Sequence, residues 1–254
     1  IKYSLFAGSA LGAVRHSGFI PWDDDLDIVM MRPDYERFLR IAEKELRPEF
    51  FLQKEFSEHW PMFYSKIRKN GTAYMEKMFP KDPKQHQGIY VDIFPCDNLS
   101  DSKWKRKIQF FSSKAVIASS LGKRGYLTDS IEKKVFIFFS KFLPQKKLWR
   151  MVVNKNEPKS KFVHTFFGAS SRYEKSVFNR DVMNEMCLLP FCGKKFPVTS
   201  RYDEMLSILY GDYMIPPQEK DRKCKEHAML VDFENSYEKY IDWQKKQRIT
   251  SYTR

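Results

Sequence analysis

The segment Asp23-Asp24-Asp25-Leu26-Asp27 places four carboxylates in five residues and runs straight into the apolar stretch Ile28-Val29-Met30-Met31. Read as a β-strand, it turns Asp23, Asp25 and Asp27 to one face and Leu26, Ile28 and Met30 to the core. Like charges on one face repel, and hard oxygen ligands at this density suit Mg²⁺ or Mn²⁺ rather than zinc. Upstream, Lys2-Tyr3-Ser4-Leu5-Phe6 alternates as a short strand, Ala7-Gly8-Ser9 turns the chain, and a helix is expected from Ala10 to His16. Strand, Gly-Ser turn and helix start form an anion-binding geometry, because glycine lets the backbone approach closely and the free N–H groups of the helix face outward. Ser17-Gly18 then feeds the acidic strand, which should bring Gly8 and Ser9 to the same end of neighbouring strands as Asp25 and Asp27. A further carboxylate, Asp92, stands alone in the apolar strand Ile89-Tyr90-Val91-Asp92-Ile93-Phe94, opened by Gln87-Gly88 and closed by Pro95. A buried carboxylate is expensive unless it is paired or bound to metal.

Four chemistries compete for the acidic strand. A calcium loop fails, since its sixth position would be Ile28 in place of glycine and its twelfth Asp34 in place of glutamate. A D-x-D pair could hold the metal of a nucleotide-sugar transferase. A D-x-D phosphatase expects its nucleophile after an apolar strand, whereas here the acids precede one. A nucleotidyltransferase-type site needs Gly-Ser at a helix start, D-x-D on the next strand and a third carboxylate on a later one, and the chain has all three in that order. Lys66 and Arg68, alternate residues of one strand, are weaker candidates for donor phosphates, a solvated strand face being the equal alternative. Cys187, Cys192, Cys224 and His227 can also be written as a zinc set, although Cys187, followed by Leu-Leu-Pro-Phe, reads as a small buried hydrophobe.

The elements that must position these residues follow from periodicity. Pro33 fits the first turn of a helix over 33–46, and 50–56, 63–69 and 72–78 read as extended, with Asn70-Gly71 a tight turn. Residues 102–121 and 130–154 are helical in pattern, their aromatic stripes expected to face the core, and a short helix is expected over 202–210. The fold class is α/β (α+β), a mixed β-sheet core flanked by helices. It reads as one domain over 1–254, with a catalytic core (1–100), a mainly helical insertion (101–160) and a C-terminal part completing it (161–254). The 254 residues, 42% hydrophobic and 16% aromatic, exclude a disordered chain. No apolar run reaches the ~20 residues of a membrane span. The chain opens on Ile1 without a leader pattern, so what precedes it is left open. Four cysteines suggest no disulfide framework and a reducing compartment. A net charge of +13 favours an anionic partner.

The blocks Gly8-Ser9-Ala10-Leu11-Gly12-Ala13-Val14-Arg15-His16, Gly18-Phe19-Ile20-Pro21-Trp22-Asp23-Asp24-Asp25-Leu26-Asp27, Tyr90-Val91-Asp92-Ile93-Phe94-Pro95 and Tyr210-Gly211-Asp212-Tyr213-Met214 together resemble the LicD family. The resemblance implies a nucleotidyltransferase-like fold related to the fukutin group. It implies transfer of a substituted phosphate, most often phosphocholine from CDP-choline, to a sugar hydroxyl of a glycan such as teichoic acid, lipopolysaccharide or capsule precursor. CDP-ribitol, CDP-glycerol or a nucleotide-sugar is the alternative donor, and an anion-binding module without turnover the non-enzyme alternative. Carried over by position, Asp25, Asp27 and Asp92 would be the catalytic, Mg²⁺-binding carboxylates, and Gly8 and Ser9 would contact donor phosphates, steadied by Arg15 and His16. The partners implied are a CDP-linked donor and a lipid-linked acceptor, not nucleic acid. The implied place is cytoplasmic, with peripheral contact at the anionic inner face of a bacterial membrane.

Overall fold

In the computed structural model, which describes residues 1–78, 80–168, 172–219, 222 and 227–252, the alternation in the first thirty residues becomes real pairing. β1 (Ser4–Leu5) lies antiparallel to β2 (Asp27–Met31), with α1 (Ala7–His16) between them in sequence. β2 pairs in parallel with β6 (Tyr90–Leu99), which pairs antiparallel with β4 (Ser65–Lys69), and β4 in turn with β3 (Phe50–Gln53). The mixed order β1-β2-β6-β4-β3 is extended by β7 (Phe162–His164) and β8 (Val177–Asn179) along the far end of β6.

Period-two patterning decides what each face of this sheet touches. Ile28, Met30, Ile93 and Ile67 pack against Tyr35 and Leu39 of α2 (Arg32–Glu45), which starts with Pro33 in its first turn. Val29 and Phe94 point the other way, into a core shared with Leu11 of α1, Leu206 and Leu209 of α6 (Tyr202–Tyr210), and Phe191 and Val198 of a hairpin. That hairpin joins β9 (Met186–Phe191) to β10 (Lys194–Thr199) through Cys192 and Gly193, both at positive φ, as a two-residue turn matching strand twist requires. A third apolar cluster, around Trp60, Phe166 and Phe167, is closed by α3 (Lys103–Arg124) and α5 (Gln145–Val153).

Several boundaries differ from the sequence reading. The acidic strand begins at Asp27, not Asp23, and residues 23–26 form an irregular lead-in. α1 begins at Ala7, so Gly8 and Ser9 lie in its first turn instead of before it. β6 runs through Pro95 to Leu99. Proline is tolerated there because β4 has ended at Ile93 and β7 joins only at Asp97, so no strand on that side asks for its missing N–H. The segment 130–154 is two helices, α4 (Ile131–Ser140) and α5, because Pro144 cannot continue the first. β5 (Ala73–Glu76) pairs with β11 (Ala228–Asp232), apart from the main sheet, and α7 (Ile241–Tyr252) follows. The helical stripes are not uniformly inward: Val116 of α3 is buried, but Trp104, Phe111 and most of α4 are exposed.

Candidate active site

Asp27 opens β2, Asp92 is its partner across the parallel ladder, and both therefore stand on the sheet face that carries Val29 and Phe94 toward α1. The backbone locks this register: Asp92 N–H donates to Leu26 O, and Phe6 N–H to Asp27 O. Ser9, buried in the first turn of α1, accepts the Asp27 N–H on its hydroxyl oxygen at 2.8 Å, which keeps its own proton available to a ligand. Ala10 is the residue whose N–H reaches back to Phe6 O, so the N–H groups of 7–9 look off the helix end. Lys66, the antiparallel partner of Asp92, places Nζ 2.8 Å from Asp92 Oδ1 and 3.2 Å from the Tyr90 ring centroid.

The electrostatics of this group are unbalanced. Burial, then Asp25 and Asp92, push the Asp27 carboxyl well above its ordinary range, with Lys66 opposing. Burial and Asp23 raise Asp25. Burial raises Asp92 as well, against the pull of Lys66. The Lys66 ammonium is itself lowered by burial despite Asp92 and Glu76. Asp27 Oδ1 is buried without a hydrogen-bond partner. Among the described residues, no three acid, histidine or cysteine side chains are gathered at metal-ligating spacing. The donor set nevertheless suits a hard divalent cation: three carboxylates and one ammonium leave two negative charges, one carboxylate oxygen lacks a partner, and the ligands are all oxygen.

The other expected residues divide into two groups. Asp23 presses on α1, where a Cβ at Gly8 would come 2.2 Å from its Oδ2, so glycine here makes room for a carboxylate. Asp24 accepts from Tyr74 Oη at 2.7 Å and from His227 N at 2.8 Å. Burial works against its charge, but hydrogen bonds from His227 and Tyr74 hold its carboxyl below the usual range. Arg15 and His16 lie at the far end of α1: Arg15 donates to Tyr213 O, and His16 meets Trp22 edge-on at 6.2 Å. Trp22 also carries Arg222 over its ring at 5.1 Å. Tyr210 is the link back to the acids; burial, then Asp27, Asp23 and Asp25, raise its hydroxyl, with Arg15 opposing.

Arg68 belongs beneath the site. It is fully buried and donates to Gln53 Oε1, Gly88 O and Glu76 Oε1. The strand face carrying Lys66 and Arg68 is thus interior rather than solvated. Glu76 collects Arg124, Lys66 at 3.7 Å and Arg68 at 3.3 Å; burial opposes its charge, yet the three cations hold it well below the carboxylate range. Glu76, Arg124 and Tyr74 escaped sequence reasoning, and Tyr210 entered it only within a family block, since their partners come from distant strands and helices. The suggested zinc set does not assemble where it is described. Cys187 lies near the start of β9 and Cys192 in the turn that follows it, five positions or about 16 Å apart along the chain. His227 is engaged by Asp24, and Cys224 lies outside the described residues.

Residues 1–119, which hold Gly8, Ser9 and all of the clustered carboxylates, match the family model described as LicD/FKTN/FKRP, nucleotidyltransferase domain. The N-terminal part of the chain is thus similar to that family's nucleotidyltransferase domain. Over 234 residues it is 28% identical to the lipopolysaccharide cholinephosphotransferase LicD of Haemophilus influenzae, covering 88% of this chain and 86% of that protein. Shorter similarities join it to two uncharacterized proteins: one of Rickettsia typhi, 56% identical over 41 residues (16% of this chain, 13% of that protein), and one of Rickettsia prowazekii, 39% identical over 74 residues (22% and 28%). The LicD match ends inside α3, so the strands that bear Asp27 and Asp92 fall within it and most of the helical insertion does not.

Proposed function

We propose that this chain is a phosphotransferase that moves phosphocholine, or a similar phospho-alcohol, from a CDP-linked donor to a sugar hydroxyl of a cell-surface glycan precursor. The observation that carries this reading is the register pair Asp27 and Asp92 with Asp25 beside them, an unpartnered Asp27 oxygen, and the Ser9 helix start against the same strand end. Asp25 and Asp27, with Asp92, would hold Mg²⁺, which when bound neutralises the diphosphate and the charge that builds on the transferred phosphoryl group. Ser9 and the outward N–H groups of the α1 start orient the donor phosphates. The acceptor hydroxyl oxygen forms a bond to the phosphorus bearing the alcohol, the bond from that phosphorus to the bridging oxygen breaks, and CMP leaves. Asp92, its proton affinity raised by burial, is placed to take the hydroxyl proton, while Lys66 stabilises its charge before the transfer. Glu76 fixes Lys66 from behind. The kinship with a lipopolysaccharide cholinephosphotransferase supports an acceptor of the glycan class. A lipid-linked acceptor would bring the chain to the cytoplasmic face of a membrane, where +13 is an advantage.

The test is donor discrimination. The protein with Mg²⁺ is given CDP-choline, CDP-ribitol, CDP-glycerol or UDP-sugars, and CMP is followed against UDP. Release of CMP from CDP-choline that disappears in Asp25→Ala and Asp27→Ala supports the reading, and release of UDP alone sinks it.

A further inference from the structure

α4 leaves its apolar side uncovered. Its contact with α3 runs through half-buried Ile137 and buried Ser140, crossing at Gly122, where a Cβ would come 2.8 Å from Ile137 Cγ2. Outward, Ile131 (76% exposed), Val135 (48%), Phe138 (54%), Phe139 (62%) and, two residues past the helix end, Phe142 (74%) follow the spacing i, i+4, i+7, i+8, i+11 of one helical stripe. The rings of Phe138, Phe139 and Phe142 touch, with centroids 5.5 and 5.6 Å apart, so the stripe is a continuous aromatic surface. Large contiguous apolar surface on a folded chain marks an interaction site.

The charges around the stripe choose the partner. Lys133, Lys134, Lys141, Lys146 and Lys147 lie in residues 129–147, against only Asp129 and Glu132. A two-fold contact between copies would set these lysines against their own kind. Among the described residues, no helix is long and apolar enough to cross a membrane. A short helix with phenylalanines on one side and lysines near both its ends is the chemistry of an interfacial helix, its rings entering the acyl boundary and its ammonium groups meeting lipid phosphates. The helix is also formed in advance: Ser130 caps it by accepting from Lys133 N, so docking costs no ordering of the segment.

We propose that α4 is a membrane-docking helix that seats the protein on an anionic lipid surface through Phe138, Phe139 and Phe142. Flotation with vesicles tests this without any turnover, so its outcome is separate from that of the transfer reading. The wild type should float with phosphatidylcholine vesicles containing phosphatidylglycerol, and far less with phosphatidylcholine alone or at high salt. Phe138→Ser/Phe139→Ser should lose about tenfold or more of this partition, and Lys133→Glu/Lys134→Glu should lose the preference for anionic lipid. Both variants change exposed side chains, and unchanged thermal unfolding checks that they fold. Equal flotation of the phenylalanine variant and the wild type would overturn the proposal, as would a wild type that stays unbound on both vesicle types. A wild-type dimer that the phenylalanine variant converts to monomer would overturn it in favour of self-association.

Discussion

Replacing Asp27 by asparagine should make the protein more stable and inactive at once. Neighbouring strands lie ~4.8 Å apart, and Asp27 and Asp92 are partners across one such ladder. Two unit charges at ~5 Å and an effective dielectric of ~20 repel by about 3 kcal/mol. Lys66, 2.8 Å from Asp92, offsets part of that repulsion, leaving about 1–2 kcal/mol for a neutral isostere to recover. The unpartnered Asp27 Oδ1 has no hydrogen bond to forfeit, and the added amide N–H can donate to Asp92. For a chain of this size the gain corresponds to about 2–8 °C in melting temperature. The assay is thermal unfolding in chelator and again in millimolar Mg²⁺, with CMP release measured in parallel. In chelator, Asp27→Asn should melt above the wild type. In Mg²⁺ the wild type should rise and the variant should not, while CMP release falls by at least about a hundredfold, the equivalent of about 3 kcal/mol. If the variant melts below the wild type in chelator, or if both gain equally from Mg²⁺, then the carboxylates are not the mutually repelling cation site described above.

Three further outcomes follow from other parts of the molecule. Arg32 is buried and forks onto Asp97 at 2.6 and 2.9 Å while reaching Glu55 at 3.1 Å. Arg32→Ala strands two buried carboxylates and should cost about 3–5 kcal/mol in urea unfolding, with Arg32→Lys losing less because the charge remains. Glu55 is pushed up to about 7 by burial, then by Asp97, against the pull of Arg32. Its folded value lies above the unfolded ~4.3, so its stabilising contribution is complete below that and is lost as pH rises through about 7. Glu55→Gln should therefore gain up to about 3 kcal/mol on the wild type between acidic and mildly alkaline pH, read from urea midpoints. Gly8→Ala drives a methyl into Asp23 Oδ2. Because a carboxylate tip can swing aside, the fold should hold within about 1 kcal/mol while CMP release drops about tenfold or more.

Alternation alone was enough to separate Asp27 from Ile28 and Met30, and the lone Asp92 in an apolar strand announced its partner across the sheet. The paired strands, the body of α1 and α6 were legible for the same reason: each is written in a local period. The underside of the site was not. Ser65-Lys66-Ile67-Arg68-Lys69 alternates like a strand with one wet face, and nothing nearby in sequence says that Glu76 and Asp92 will bury those charges. Glu76 reaches its place because β5 pairs with β11, some 150 positions away in the chain, and no period encodes that. Asp23 to Asp25 were read as strand because their spacing fits one. Asp24, held by Tyr74 and His227, instead ties that lead-in to β5 and to the residue before β11. In α4 the period was readable, but a stripe specifies a direction and leaves open whether protein or something else lies there.

The helices between β6 and β7 leave and return at one point. Leu99 and Phe162 are partners across the antiparallel ladder, Ser100 and Asp101 both donate to Glu157, and Lys161 N–H donates to Asp101. Topologically the whole excursion is a hairpin loop grown to helical size, buttoned at its base. Lengthening such a loop costs only about 0.6 kcal/mol per doubling. Its outer surface can therefore be rewritten without moving the strand that holds Asp92. Only its outward surface has that freedom, because on its inner side Arg124 of α3 holds Glu76 beneath the site and Val116 and Val152 pack into the Trp60 cluster.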